Sequence, residues 1–142
     1  MSDLIEKADA FAKKMHSGQK DKAGKPYIMH PRAVAKAVKG EEYKIAALLH
    51  DVCEDTSATP EQLEEMGFPK ASVDAVRLLT HKNNVDYIEY IKRLGTNPIA
   101  RTVKLADLCH NMDLSRIKNP SDEDFKRIDK YKKAYKILKA MN

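Results

Sequence analysis

Apolar residues in this chain recur every three or four positions, segment after segment, and nowhere alternate over the length of a strand. That spacing calls for helices. Leu4, Ala8, Phe11, Ala12 and Met15 form one stripe, which ends near Gly18. Pro31 reads as a first-turn proline opening a helix through Val34, Ala37 and Val38 to Gly40. A third helix is expected from Glu41 to about Asp55, with Ile45, Leu48, Leu49 and Val52 on one face. Thr59-Pro60-Glu61-Gln62 has the form of a capping box starting a short helix that stops at Gly67. Pro69 opens the next, packing through Val73, Val76 and Leu79, and Val85, Ile88, Ile91 and Leu94 mark another, closed by Gly95. Asn97-Pro98 opens a longer helix to about Ile117. The last begins at Ser121, where Asp122, Glu123 and Asp124 match the helix dipole. With short connectors, no repeat and no low-complexity linker, the expected fold is all-α: one bundle of seven or eight helices over residues 1–142.

No apolar run approaches the roughly 20 residues that cross a bilayer. The start, Met1-Ser2-Asp3-Leu4-Ile5-Glu6, carries acids where a signal peptide carries basic residues. Cys53 and Cys109 form neither a CxxC nor a disulfide framework, so a cytoplasmic protein with reduced thiols and no membrane partner is expected. Net charge is +5, unevenly spread. Lys13 to Lys44 holds nine basic residues against three acids, whereas Asp51 to Glu65 holds six acids and no Lys or Arg. A basic segment beside an acidic one suits a phosphate–metal site, the first holding an anionic substrate and the second a divalent cation. Two ordinary solvated helix faces give the same counts.

Chemistry concentrates in a few places. The loop Gly18 to Tyr27 carries three lysines, Lys22 among them, and two glycines that allow close backbone approach to phosphates, without the order of a P-loop. His50 and Asp51 are followed one turn on by Glu54 and Asp55, all opposite the apolar face of their helix. A metal on the first pair would have the second pair close enough to orient a water; the wet side of an amphipathic helix has the same pattern. Asp107 differs. With Ile99, Val103, His110, Leu114 and Ile117 it lies within an arc of about 80°, on the stripe that should enter the core. A buried carboxylate needs a partner, and a metal or Lys104 one turn away would serve. His30, just before Pro31, reads as a cap, a surface residue or a ligand, as do His16 and His81.

Taken in order, His30-Pro31, Ala46-Ala47-Leu48-Leu49-His50-Asp51-Val52-Cys53-Glu54-Asp55-Thr56, Val103-Lys104-Leu105-Ala106-Asp107 and His110-Asn111-Met112 resemble the HD-domain metal phosphohydrolases. Within that superfamily the chain is similar to the hydrolase domain of the RelA/SpoT alarmone enzymes and to the small alarmone hydrolases, and Gly24-Lys25-Pro26-Tyr27-Ile28 belongs to the same pattern. The resemblance implies a manganese ion, or Mg²⁺ or another divalent metal, held by His30, His50, Asp51 and Asp107. It implies that Glu54 and Asp55 handle the attacking water, that Asn111 contacts the nucleotide near its ribose, and that Lys22 lines the nucleotide pocket. The reaction implied is removal of the 3′-pyrophosphate from a guanosine alarmone such as ppGpp. At 142 residues the chain is expected to have no room for the synthetase or regulatory domains of the long enzymes.

Two departures bear on the substrate. Asp21 precedes Lys22 where the family carries Arg-Lys, and Leu108-Cys109 stands where the family has Arg-Leu. Another phosphorylated nucleotide is therefore the alternative substrate for the same metal set. A non-catalytic reading, a basic helical module for nucleic acid, rests on Lys126, Arg127, Lys130, Lys132, Lys133, Lys136 and Lys139, with no recognised nucleic-acid motif beside them. A metal-binding protein without catalysis is a further alternative, but a structural ion would not require Glu54 and Asp55.

Overall fold

A computed structural model describes residues 2–141, and the regular elements among them are helical. In chain order they are α1 (Asp3–Met15), α2 (Met29–Lys36), α3 (Glu41–Leu49), the single turn α4 (Val52–Asp55), α5 (Pro60–Glu65), α6 (Lys70–Leu79), α7 (Tyr87–Leu94), α8 (Pro98–Asn111) and α9 (Asp122–Ala140), with a 3-10 turn at Leu114–Arg116. The all-α expectation holds. Side chains start five of these helices: Ser2, Thr59, Asp86, Asn97 and Ser121 each accept a first-turn backbone N–H. At Ser121 the capping box is complete, because Asp124 accepts the Ser121 N–H in return. Among the described residues no helix is long and apolar enough to cross a membrane.

The hub is α3. Ile45, Ala46, Ala47, Leu48 and Leu49 are buried in succession, so the second half of this helix has no wet face. Two of the five are alanines, which leaves room for neighbours on every side, and α1, α2, α6 and α8 pack around it. Val73 and Val76 of α6, Val103 and Leu108 of α8 and Ala8 and Ala12 of α1 complete this centre. Fully burying each of the larger side chains is worth about 1.5–3 kcal/mol.

Several boundaries differ from the sequence reading, and two of them shape the site. The helix expected from Glu41 to Asp55 breaks at His50-Asp51. There the His50 Nδ1 sits 2.6 Å from the Ala47 carbonyl oxygen, which takes only a long 3.5 Å bond from the His50 backbone N–H at the helix end. His50 is thereby turned into the interior rather than left on a wet stripe. The helix expected to reach Ile117 stops at Asn111, because the Asp113 carboxylate accepts the Ser115 N–H at 3.0 Å and offers the backbone a local alternative. Leu114 and Ile117 thus leave the Asp107 stripe. Another is α2, which starts at Met29 and stops at Lys36, short of Gly40, with Pro31 still in the first turn, where its missing N–H costs nothing.

Gly95 closes α7 with an ordinary helical φ of −63°. Its lack of a side chain serves packing: a Cβ there would stand 2.6 Å from Met141 Sδ and 3.0 Å from Leu138 Cδ2. The end of α9 therefore lies directly on the end of α7, and this contact fixes the α9 face that looks back toward the site.

Candidate metal centre

Three pieces of backbone bring four ligand-type side chains together: the first turn of α2 carries His30, the α3–α4 break carries His50 and Asp51, and the third turn of α8 carries Asp107. One nitrogen or oxygen from each lies within 4.8 Å of all the others. His30 Nε2 is 2.7 Å from Asp107 Oδ1 and 3.8 Å from Asp51 Oδ2, and His50 Nε2 is 3.0 Å from Asp51 Oδ2 and 3.3 Å from Asp107 Oδ1. An octahedron with bonds of about 2.1 Å has edges of about 3 Å, so these separations suit a divalent cation. His30, His50 and Asp107 are buried, and Asp51 is half-open to a cleft.

The surrounding groups orient this set. The His50 Nδ1–H donates to the Ala47 carbonyl, which turns Nε2 toward the carboxylates, where it donates when protonated and would be free to bind an ion when neutral. His30 Nδ1 faces His110 Nδ1 at 2.7 Å, with the rings stacked. The Tyr27 hydroxyl donates to Asp51 Oδ2 at 2.6 Å, and the Asn111 side-chain amide donates to Asp107 Oδ1 at 3.1 Å. Lys104 Nζ lies 3.0 Å from Asp107 Oδ2. The two partners read for Asp107 are therefore compatible: one oxygen takes the lysine and the other faces the histidines.

Electrostatics favour a cation here. Burial pushes the Asp107 carboxyl up, but the Lys104 ammonium and the hydrogen bonds from His30 and His50 outweigh it and hold Asp107 well below the usual carboxylate range. Burial likewise opposes charge on His50, yet Asp51 and Asp107 carry its pKa well above the ordinary histidine value. The two ionised carboxylates that hold the proton on His50 would hold a divalent ion for the same reason, and proton and ion would compete for the imidazole.

A cleft of about 250 Å³ opens onto Asp51 and Asp107, with Glu54 and Asp55 on its wall. Glu54 is fixed by the His81 backbone N–H, which donates to Oε1 at 2.7 Å. Partial burial, reinforced by the nearby Asp51 charge, raises the pKa of both Glu54 and Asp55. A second chamber of about 310 Å³ adjoins the first, since Tyr27, Asn111 and Tyr131 line both, and it contains Lys22. Asn111 thus stands between the chambers, while Lys22 is exposed on the loop after α1. In that loop Asp21 Oδ1 accepts the backbone N–H groups of Ala23 and Lys25, both at 2.9 Å. The acid at the departure position holds the loop's shape.

Sequence reasoning missed the ring of supporting groups. Tyr27 was noted only within its pattern, although its hydroxyl anchors Asp51. Tyr87 and Tyr90 also line the first cleft with no periodicity to mark them, while His81, read as a cap, surface residue or ligand, and Lys130, read within the basic run of the last helix, line it too.

Residues 8–141 match the family described as HD domain. The chain is 36% identical over 124 residues to a probable guanosine-3′,5′-bis(diphosphate) 3′-pyrophosphohydrolase of a Synechocystis species, a match covering 77% of this chain and 16% of that protein. It is 36% identical over 116 residues to a guanosine-3′,5′-bis(diphosphate) 3′-pyrophosphohydrolase of Haemophilus influenzae, covering 72% and 17%, and 35% identical over 127 residues to a GTP pyrophosphokinase of Myxococcus xanthus, covering 78% and 17%. The chain therefore spans about one-sixth of the length of these curated relatives. A solved structure described as a metazoan ortholog of SpoT that hydrolyzes ppGpp superposes with a TM-score of 0.83 at 24% identity, over 100% of this chain and 89% of that one.

Proposed function

The chain belongs to the HD-domain family, and from that premise we propose that it is a divalent-metal-dependent phosphohydrolase that removes the 3′-pyrophosphate from guanosine 3′,5′-bis(diphosphate). The observation that carries the reading is the convergence of His30, His50, Asp51 and Asp107 within 4.8 Å beside two further carboxylates on a cleft wall. The relatives named as 3′-pyrophosphohydrolases support the substrate. Two imidazoles and two carboxylates, completed by water, favour Mn²⁺ as the ion, with Mg²⁺ or another divalent metal as substitutes. A nucleotide substrate and two free thiols, Cys53 and Cys109, are in keeping with a cytoplasmic location.

An ion at this centre supplies Lewis acidity toward a phosphoryl oxygen and lowers the pKa of water. The side chains do the rest. Glu54 or Asp55 takes the proton of the attacking water, their raised pKa values making them better bases than an exposed carboxylate. The water oxygen bonds to the phosphorus on the ribose 3′ oxygen, that P–O bond breaks, the 3′ oxygen takes up a proton from solvent water, and GDP and pyrophosphate leave. Asn111, between the two chambers, meets the ribose, and Lys22 meets the nucleotide from the adjoining one.

Product analysis tests the reading. The purified protein with Mn²⁺ should convert ppGpp to GDP and pyrophosphate, and a chelator should stop it. Orthophosphate as the released product, or turnover only of other phosphorylated nucleotides, would overturn it.

The rate should also fall at acid pH. Glu54 and Asp55 act as bases only when ionised, and burial raises both pKa values, so the base is lost as pH falls through values above the ordinary carboxylate range. A pH profile of kcat at saturating Mn²⁺ should show this acid limb, and Glu54→Gln should flatten or displace it.

Asp21→Ala should raise KM several-fold with kcat little changed, because the loop carrying Lys22 loses two hydrogen bonds worth about 0.5–1.5 kcal/mol each. Asp21→Arg removes the same two bonds, so steady-state kinetics should show it weakening ppGpp turnover rather than improving it.

A further inference from the structure

Among the described residues the buried histidines are His16, His30 and His50, and His16 is the one outside the metal set. It caps the end of α1, with its ring centre 4.8 Å from that of Tyr27. Its Nε2 is buried without a hydrogen-bond partner, so among the described residues the ring bonds to Gln19 alone, whose Oε1 lies 3.0 Å from Nδ1. The direction of that bond follows from the other half of the Gln19 amide. The Gln19 Nε2 donates to the Asp55 carbonyl oxygen at 3.4 Å, and a carbonyl can only accept. The amide oxygen is therefore the end that faces His16, and His16 Nδ1 carries the hydrogen.

The Gln19 main chain is engaged as well. Its carbonyl accepts the Tyr27 N–H at 2.9 Å, and the Tyr27 hydroxyl donates to Asp51. Gln19 thus meets both the support of a metal-facing carboxylate and the backbone of Asp55. Asp55 needs such a prop. α4 is one turn of four residues, too short to hold its own shape, and a helix end leaves its last carbonyls without partners. Glu54 is fixed through its side chain by the His81 N–H. The Asp55 carboxylate has no hydrogen-bond or ion-pair partner among the described residues, so its place is set through its backbone.

We propose that Gln19 is a positioning residue for the reaction: oriented by His16, its side-chain amide sets where the Asp55 carboxylate stands toward the attacking water. The role rests on the hydrolase reading above. It also ties Asp55 to the loop that carries Lys22, because the Tyr27 N–H closes that loop on Gln19.

Steady-state kinetics with ppGpp and Mn²⁺ test the role. Gln19→Leu keeps the bulk and the main-chain bond to Tyr27 but loses the amide, so kcat should fall about tenfold with KM within about twofold. Gln19→Glu still accepts from His16 but cannot donate to the Asp55 carbonyl, so it should not restore the rate. His16→Phe keeps a ring beside Tyr27 and removes the Nδ1–H; it should lower kcat alone and add nothing to Gln19→Leu. In an Asp55→Asn background Gln19→Leu should cost nothing further, because the group it positions is already gone. Full kcat in Gln19→Leu, recovery in Gln19→Glu, or an additive loss beside Asp55→Asn overturns the assignment.

A readout without turnover separates this role from the hydrolase reading. The Asp55 and Thr56 N–H groups donate to the Asp51 and Val52 carbonyls at 2.9 and 3.1 Å, and their hydrogen exchange should quicken several-fold in Gln19→Leu. If exchange quickens while the wild-type protein releases no pyrophosphate from ppGpp, the brace stands and the hydrolase reading falls. Exchange unchanged in Gln19→Leu overturns the brace.

Discussion

Replacing Asp107 by alanine is expected to abolish hydrolysis and to cost about 3–5 kcal/mol of folding stability at the same time. One carboxylate serves two purposes. Oδ1 faces His30 and His50, while Oδ2 lies 3.0 Å from the Lys104 ammonium, itself almost fully enclosed. Removing the carboxylate leaves a buried lysine with no ion-pair partner in contact among the described residues, supported by the Tyr90 ring 5.5 Å away. The second effect is separable. In Lys104→Met/Asp107→Ala the stranded charge is gone, so most of the stability should return and none of the activity. Denaturant unfolding with chelator present, beside pyrophosphate release, measures both. Equal stability of Asp107→Ala and wild type would mean that Lys104 does not depend on this pair.

Glu54→Gln should lower kcat by about 10²–10⁴-fold while metal content stays at the wild-type level. The amide keeps the size of the side chain and can still accept the His81 N–H, so the cleft wall should survive. What is lost is a base whose pKa burial has raised. Asp55→Asn removes its neighbour. If the two carboxylates act as a unit, the double variant should be little worse than the more damaging single one. A Glu54→Gln protein that loses its metal instead would show Glu54 to be a ligand, and one of full activity would remove it from the proton transfer.

The physical limits of sequence reading show at particular residues. Asp107 was legible because a carboxylate on a helix's apolar stripe has no reason to be there without a partner. The break at His50-Asp51 was not, since the apolar spacing from Ile45 to Val52 runs through it uninterrupted. It depends on the His50 ring capturing the Ala47 carbonyl, a choice settled by what packs around α3. The early stop of α8 hangs on Asp113, a residue equally at home on a helix surface. Tyr27 reaches Asp51 across 24 positions of chain, and Lys130 reaches Tyr87 across two helices. Local pattern carries no record of such meetings. Asp21 teaches the converse: it departs from a family motif, and its local bonds give the acid a structural purpose.

The most direct test of the account is metal stoichiometry. The protein is stripped with chelator, reloaded with Mn²⁺, desalted and analysed by elemental mass spectrometry, with His50→Ala and Asp51→Ala treated alongside. The account predicts about one ion per wild-type chain and a large loss in each variant, with hydrolysis of ppGpp following metal content. A full complement of Mn²⁺ in folded His50→Ala and Asp51→Ala proteins would contradict it, because the ion would then sit elsewhere than among His30, His50, Asp51 and Asp107.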